Sequence, residues 1–409
     1  MIGRLLLPPG VDRAALPLLL ARALRAFADG YVAVLLPAYL LALGFGPWEV
    51  GILATATLLG SACATLAVGA WGHRFHHHRL ILGAAALMAA TGLAFGMAST
   101  FWPLLVIAFV GTLNPSSGDV SVFLPLEHAR LAEYADGDAR TSLFARYSLV
   151  GSLSAALGAL AAALPAYISS TTGISAVDGL RCMFGLYGLV GCGVWMLYRT
   201  LPVIHDEAPE PRTPLGKSRP TVVRLAALFS VDSFAGGLVV NALLALWLFK
   251  RFDMSVAAAG QFFFWAGLCA AVSQLAAPPL ARRIGLVNTM VFTHIPASLC
   301  LIGAAFAPSM WLALTLLLVR ALFSSMDVPA RSAFVMSVVT PAERAAAASF
   351  TAVPRSLASA AGPVIGAGLF AAGSLAAPLV VCGMLKIAYD VAIWRSFRDV
   401  RPQLDREQS

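Results

Sequence analysis

Charge is what this chain most lacks. Of its 409 residues, 28 are Lys or Arg and 20 are Asp or Glu, so 12% are charged against 59% apolar. Soluble domains carry about 25% charged and about 45–50% apolar residues, and the mean hydropathy of +0.82 lies far from that class. So few charges cannot make a water-facing surface for a chain of this length. Alternating ten-residue strand patterns are also missing, which argues against a barrel and leaves helices as the way to satisfy backbone groups in lipid. The six cysteines, Cys63, Cys182, Cys192, Cys269, Cys300 and Cys382, lie in apolar runs with no C-x-x-C among them. Neither a disulfide framework nor a zinc site is expected. A G-x-x-x-x-G-K-[ST] loop is absent, which excludes nucleotide-driven transport by this chain. Residues 1–13 are short and proline-interrupted with no small-residue cleavage site, so no removable signal peptide is expected.

What is present is apolar length. Runs of 18 or more residues, enough to cross a hydrocarbon core of about 30 Å, recur along the chain. They predict twelve helical spans at 14–43, 48–72, 79–99, 101–130, 139–167, 179–200, 221–250, 255–280, 285–307, 309–337, 343–372 and 375–397. The longest polar stretch, residues 201–220 with the flanking Thr200, contains five prolines and seven ionisable side chains. It is expected to link a bundle at 1–200 to a second at 221–397, followed by a tail at 398–409. Arg4, Arg13, Arg74, Arg79, Arg140, Arg282, Arg283, Arg344 and the basic tail fall on one side of this scheme, while Arg181, Lys250 and Arg251 fall on the other. Lys and Arg accumulate on the cytoplasmic side, so both termini are expected there. The +8 charge is read as orientation, with no nucleic-acid partner.

The halves repeat. Ser116-Ser117-Gly118-Asp119-Val120 returns as Ser324-Ser325-Met326-Asp327-Val328, and Phe27-Ala28-Asp29-Gly30 parallels Phe234-Ala235-Gly236-Gly237. Ser152, Leu153 and Gly158 align with Ser356, Leu357 and Gly362. Matches in order at nearly one offset indicate duplication, and carriers of this size are built from two such six-helix halves.

Two short loops carry a family likeness. Gly69-Ala70-Trp71-Gly72-His73-Arg74 runs on through His76-His77-His78 to Arg79, and Pro279-Leu280-Ala281-Arg282-Arg283-Ile284-Gly285 recurs an equal distance into the second half. With the span count and linker, these resemble the loops between helices 2 and 3 and helices 8 and 9 of the major facilitator superfamily. His73 stands where that family has Asp, and His76 where it has its second Gly. The resemblance implies an all-α membrane protein of twelve helices in two pseudo-symmetric bundles. It also implies a solute carrier working by alternating access, with helices 1, 4, 7 and 10 lining a cavity bordered by 5 and 11.

Intramembrane ionisable residues are functional candidates by default, because a central charge costs about 2.5–3.5 kcal/mol to insert. Here they concentrate on those six helices. Asp29, Asp119, Asp232 and Asp327 are the proton-coupling candidates. Arg320, Arg355, Asn241 and Arg146 are the substrate candidates, since a guanidinium can hold an anion bidentately. Arg320, Ser324, Asp327 and Arg331 share one helical face at i, i+4, i+7 and i+11, so Asp327 can reach Arg331. Asp232 stands where Arg25 stands in the first repeat, suggesting an Arg25–Asp232 gate; each of these pairs has an equally plain structural reading as a static brace. Lys386 and Asp390, at i, i+4, are expected to satisfy each other. Glu127, Glu133 and Asp136, at the end of helix 4, are expected to meet Arg74 or Arg79. His76, His77 and His78 are adjacent and cannot converge on one ion in a helix, so no metal is expected. No cofactor is expected either. Together these features predict a monomeric, multi-pass protein of a bacterial inner membrane, no enzyme, with a small-molecule substrate, protons and lipids as its partners. Efflux by antiport is the preferred direction; uptake, or a non-transporting receptor of the same architecture, is the alternative.

Overall fold

The computed structural model describes residues 7–9, 11–116, 121–202, 216, 218–340 and 343–398. Among them every regular element is helical. In chain order the α-helices are α1 (Leu16–Ala42), α2 (Pro47–Trp71), α3 (His77–Met97), α4 (Phe101–Val110), α5 (Phe123–Glu133), α6 (Gly137–Ala161), α7 (Leu164–Thr172) and α8 (Ala176–Arg199), followed by α9 (Arg219–Gly237), α10 (Asn241–Phe252), α11 (Val256–Ile284), α12 (Leu286–Ala305), α13 (Met310–Ser324), α14 (Asp327–Val338), α15 (Arg344–Ala371) and α16 (Ala377–Phe397). Among the described residues, nine helical segments are long and apolar enough to cross a membrane by composition. The fold is all-α, with twelve spans in two bundles, and four of the spans are interrupted.

Each interruption has a local cause. Span 4 stops at Gly111, where Pro115 disfavours helical backbone at Asn114 and the Asn114 amide oxygen accepts from the Ser116 N–H at 3.1 Å instead. Span 5 turns at Ala162 and Ala163 so that Pro165 falls in the first turn of α7, where a missing N–H costs nothing. Span 7 opens after Gly236-Gly237, two weak helix formers in succession. Span 10 opens at Ser325-Met326, which places Pro329 in the first turn of α14. Some of the other helix starts are capped. Ser175 accepts from Asp178 N–H at 3.1 Å, and Glu49 accepts from Gly46 N–H at 2.9 Å.

The helices cluster into two compact units, Met1–Glu207 with Val240–Phe264 and Ala208–Val239 with Trp265–Ser409. In the first, α1 packs along α6 and α3 along α8; in the second, α9 packs along α15 and α12 along α16. These are equivalent pairings, so the sequence duplication is also a duplication of packing. The interruption in span 7 divides it between the units: α10 packs on α1 in the first, and Ala242 N–H donates to the Pro115 carbonyl at 3.0 Å.

The aligned glycines sit where helices touch. A Cβ on Gly30 would stand 2.1 Å from the Ala155 carbonyl oxygen, and one on Gly237 would stand 2.4 Å from that of Ser359. Ala155 and Ser359 occupy equivalent places in the repeat. Backbone cannot retreat as a side chain can, and overpacking of this kind costs about 1–3 kcal/mol. Gly30→Val and Gly237→Val are therefore each expected to lower the melting temperature of the purified protein by several degrees. An unchanged melt in either would mean that the close approach is not part of the folded state.

Candidate functional site

Among the described residues, each unit buries a charge network. In the first, Glu127 of α5 is fully buried and accepts from three donors: the Arg25 guanidinium of α1, the Tyr147 hydroxyl of α6 and the Tyr198 hydroxyl of α8. The Arg25 guanidinium also lies 4.1 Å from the Phe123 ring centroid. Arg22, one turn earlier, stacks on Tyr147 at 5.1 Å. Asp29, one turn beyond Arg25 and buried, lies within electrostatic reach of both arginines. Four spans thus converge on one carboxylate, and a second carboxylate stands beside the same cations.

In the second unit the network is larger. Asp232 of α9 faces Arg331 of α14 at 3.0 Å through Oδ2, and Lys386 of α16 at 2.7 Å through Oδ1. Arg331 also pairs with Asp327, one turn back on α14. His294 of α12 stands between the two ends. Its Nδ1 is 3.0 Å from Asp390 Oδ1, while its Nε2 is 3.4 Å from Lys386 Nζ and 3.8 Å from Asp232 Oδ1. All six side chains are at most 13% exposed. Ionised groups at that depth are tolerated only when paired and hydrogen-bonded.

Several expectations are corrected here. Within its own unit Arg25 is paired with Glu127, and Asp232 with Arg331 and Lys386. Lys386 and Asp390 do not satisfy each other; partners on α9 and α12 take them separately. Glu127 turns inward rather than toward Arg74 or Arg79, while Glu133 pairs with Arg130 at 3.0 Å and Asp136 with Arg140 at 2.9 Å. The network also takes in His294 on span 9 and Lys386 and Asp390 on span 12, outside the six spans on which the intramembrane charges concentrate.

The remaining candidates are scattered. Arg355 of α15 donates from Nε to Ser233 Oγ at 3.2 Å, next door to Asp232. Arg320 of α13 is partly buried near the thiols of Cys300 and Cys382 and contacts no carboxylate among the described residues. Arg146 on α6 and Asn241 at the start of α10 are partly buried, and Asn241 belongs to the first unit. Asp119 lies outside the described residues. Of the loop residues, Gly69 faces open space, Arg74, Arg79, Arg282 and Arg283 are exposed, and Gly285 has φ +86°. That backbone is accessible to glycine at no cost. At the equivalent turn His76 has φ −61°, which any residue adopts, so the first loop needs no glycine there. Just before α15, Glu343 accepts from the N–H groups of Gly216 at 2.6 Å and Ser218 at 3.3 Å. The Ser218 hydroxyl and the Gly216 amide hold its carboxyl below the usual range.

A twelve-span helical protein with a duplicated bundle and buried charge networks is built as a membrane transporter. Residues 18–319 and 225–409 match the family model of the Major Facilitator Superfamily, and the chain belongs to that family. It is 25% identical, over 94% of each chain, to the uncharacterized membrane protein YJR124C of Saccharomyces cerevisiae. Among solved structures it resembles three transporters. For a bacterial homolog of the human lysosomal transporter Spinster in an inward-facing, occupied conformation, the TM-score is 0.72 with 17% identity, over 95% of this chain and 97% of that one. The nucleoside transporter NupG gives 0.70 with 15% identity over 95% and 100%. The human organic anion transporter MFSD10 gives 0.66 with 17% identity over 94% and 100%. At these identities the likeness is one of fold.

Proposed function

We propose that this transporter is a proton-coupled carrier that exports a small organic solute from the cytoplasm by alternating access. The observation that carries the reading is the pair of networks, which share three equivalent spans: 1, 4 and 6 in the first unit and 7, 10 and 12 in the second. A carboxylate on span 1 and another on span 7, Asp29 and Asp232, are buried beside cations, which for Asp29 belong to its own span and for Asp232 to spans 10 and 12. A carboxylate whose cation partners can be rearranged binds a proton in one arrangement and releases it in the other. Arg320 and Arg355 suit an anionic group on the solute. Export is preferred over uptake because the cavity-lining spans lack the array of neutral hydrogen-bonding side chains that a sugar requires. In this reading residues 1–200 and 221–397 act as two six-span halves joined by 201–220, with the tail at 398–409. The protein works as a monomer in a bacterial inner membrane with both termini cytoplasmic, and with protons and lipid as its other partners.

The test uses everted membrane vesicles carrying the protein, energised by respiration so that their interior is acidic. Organic anions and lipophilic cations are added one by one while a pH-sensitive dye reports the gradient. Proton-coupled export predicts partial collapse of the gradient on adding a transported compound, absent from vesicles without the protein. No response to any compound, with radiolabelled solutes equilibrating at the same rate with and without a gradient, would contradict it.

A further inference from the structure

We infer that the His294–Asp390 pair is a proton-binding site that decides which cation Asp232 holds. The inference deepens the proposed proton coupling, on which it rests, by naming where the proton sits and what it displaces.

The geometry of one contact leads the argument. Lys386 Nζ is 3.4 Å from His294 Nε2. A lysine ammonium is a donor only, so this contact is attractive while Nε2 carries its lone pair and Nδ1 carries the hydrogen. That tautomer lets Nδ1–H donate to Asp390 Oδ1 at 3.0 Å. A proton taken from hydronium bonds to the Nε2 lone pair, leaves water behind and makes an imidazolium. Two donors then face each other across 3.4 Å, and the imidazolium stands 3.8 Å from Asp232 Oδ1. Lys386 and the imidazolium now compete for one carboxylate oxygen. Protonation thus weakens the Lys386–Asp232 contact, now 2.7 Å, and Lys386 is the member with the most exposed side chain, at 13%.

The charge count favours the same site. Three carboxylates, Asp232, Asp327 and Asp390, contact two permanent cations, Arg331 and Lys386, and His294. One negative charge is left over, and Asp390 is fully buried with Oδ2 lacking any hydrogen-bond partner among the described residues. One added proton brings the contacting set to neutrality, and His294 is the group placed to take it between two of the carboxylates. Tyr389 packs edge-on against His294 at 6.2 Å, Cys382 lies one turn before Lys386, Arg320 of α13 faces Cys382, and Arg355 of α15 reaches Ser233.

The test reads the imidazole directly and needs no solute. The full-length protein is labelled with 15N-histidine, reconstituted in lipid nanodiscs and followed by NMR from about pH 9 to about pH 5, the range in which imidazoles titrate. The His294 signals are those missing in His294→Gln. If that variant does not fold, Lys386→Met assigns them independently, as the resonance that moves when the neighbouring ammonium is removed. The expected result is conversion from the Nδ1–H tautomer to the imidazolium. The midpoint should fall by about one pH unit or more in Asp390→Asn, which removes the facing charge, and rise in Lys386→Met. A His294 in a single protonation state throughout, in both the wild type and Lys386→Met, would overturn the inference. The two claims fail separately. Titration of His294 in a protein without proton-driven flux would remove the coupling and keep the site, and driven flux with a silent His294 would do the reverse.

Discussion

Asp232→Asn is expected to abolish proton-driven transport while sparing exchange of solute between compartments of equal pH. The substitution keeps the volume and a hydrogen-bonding oxygen beside Lys386 and Arg331 but removes one charge. Two carboxylates, Asp327 and Asp390, then face two permanent cations, and the cluster is neutral without a proton. A carrier that need not bind the proton has lost the linkage between proton and solute, which in coupled systems amounts to about 5–150-fold in affinity. Removing Lys386 as well restores the missing negative charge. Asp232→Asn combined with Lys386→Met is therefore expected to recover proton uptake that the single variant lacks. Measurement of pH-gradient-driven flux and of equilibrium exchange in the same vesicles separates these outcomes. Equal loss of both activities in Asp232→Asn would mean that Asp232 is needed for folding or solute binding rather than for coupling.

The second large effect is on stability. Glu127→Ala is expected to destabilise the first unit by about 3–5 kcal/mol, the usual consequence of stranding one member of a buried ion pair. Three donors from α1, α6 and α8 lose their shared acceptor at once, and Arg25 is left buried at 2% exposure without its carboxylate. Glu127→Gln keeps an acceptor oxygen and should fall between the wild type and Ala. Combining Glu127→Gln with Arg25→Met should recover part of the loss, because no unpaired charge remains. Thermal melting of the purified variants checks the order. A melt of Glu127→Ala within a degree of the wild type would show that α5 does not hold these helices together.

The spans were legible because apolar length is imposed by the bilayer and little else produces it. Their interruptions were not, since Gly236-Gly237-Leu238-Val239-Val240 is as apolar as the helices on either side and leaves hydropathy unchanged. Pro329 was a readable signal for the break at Ser325-Met326, because a proline is comfortable in a first turn and costly further in. The repeat was legible in Gly30 and Gly237, whose positions the packing of α1 on α6 and α9 on α15 requires. Ion pairing was the hardest part to read. Spacing says which residues of one helix share a face, as with Asp327 and Arg331, but not whether a partner from another helix stands closer. Lys386 and Asp390 share a face and still bond elsewhere. Glu127 was misread for a different reason: an uninterrupted helix over 101–130 puts it at an end, whereas α5 begins at Phe123 and carries it inward to Arg25. His294 stood out in the sequence as a lone imidazole on an otherwise uncharged span, but its partner Asp390 on another span was not legible there.

The most direct test of the account is proton movement by the purified protein itself. Wild type and Asp232→Asn are reconstituted into liposomes enclosing a pH-sensitive dye. Each is loaded with one of the organic anions or lipophilic cations that collapse the gradient in everted vesicles and diluted into solute-free buffer. The account predicts that an outward solute gradient drives protons inward through the wild type and not through Asp232→Asn, while both exchange labelled solute at equal pH. Solute flux through the wild type that moves no protons would contradict it.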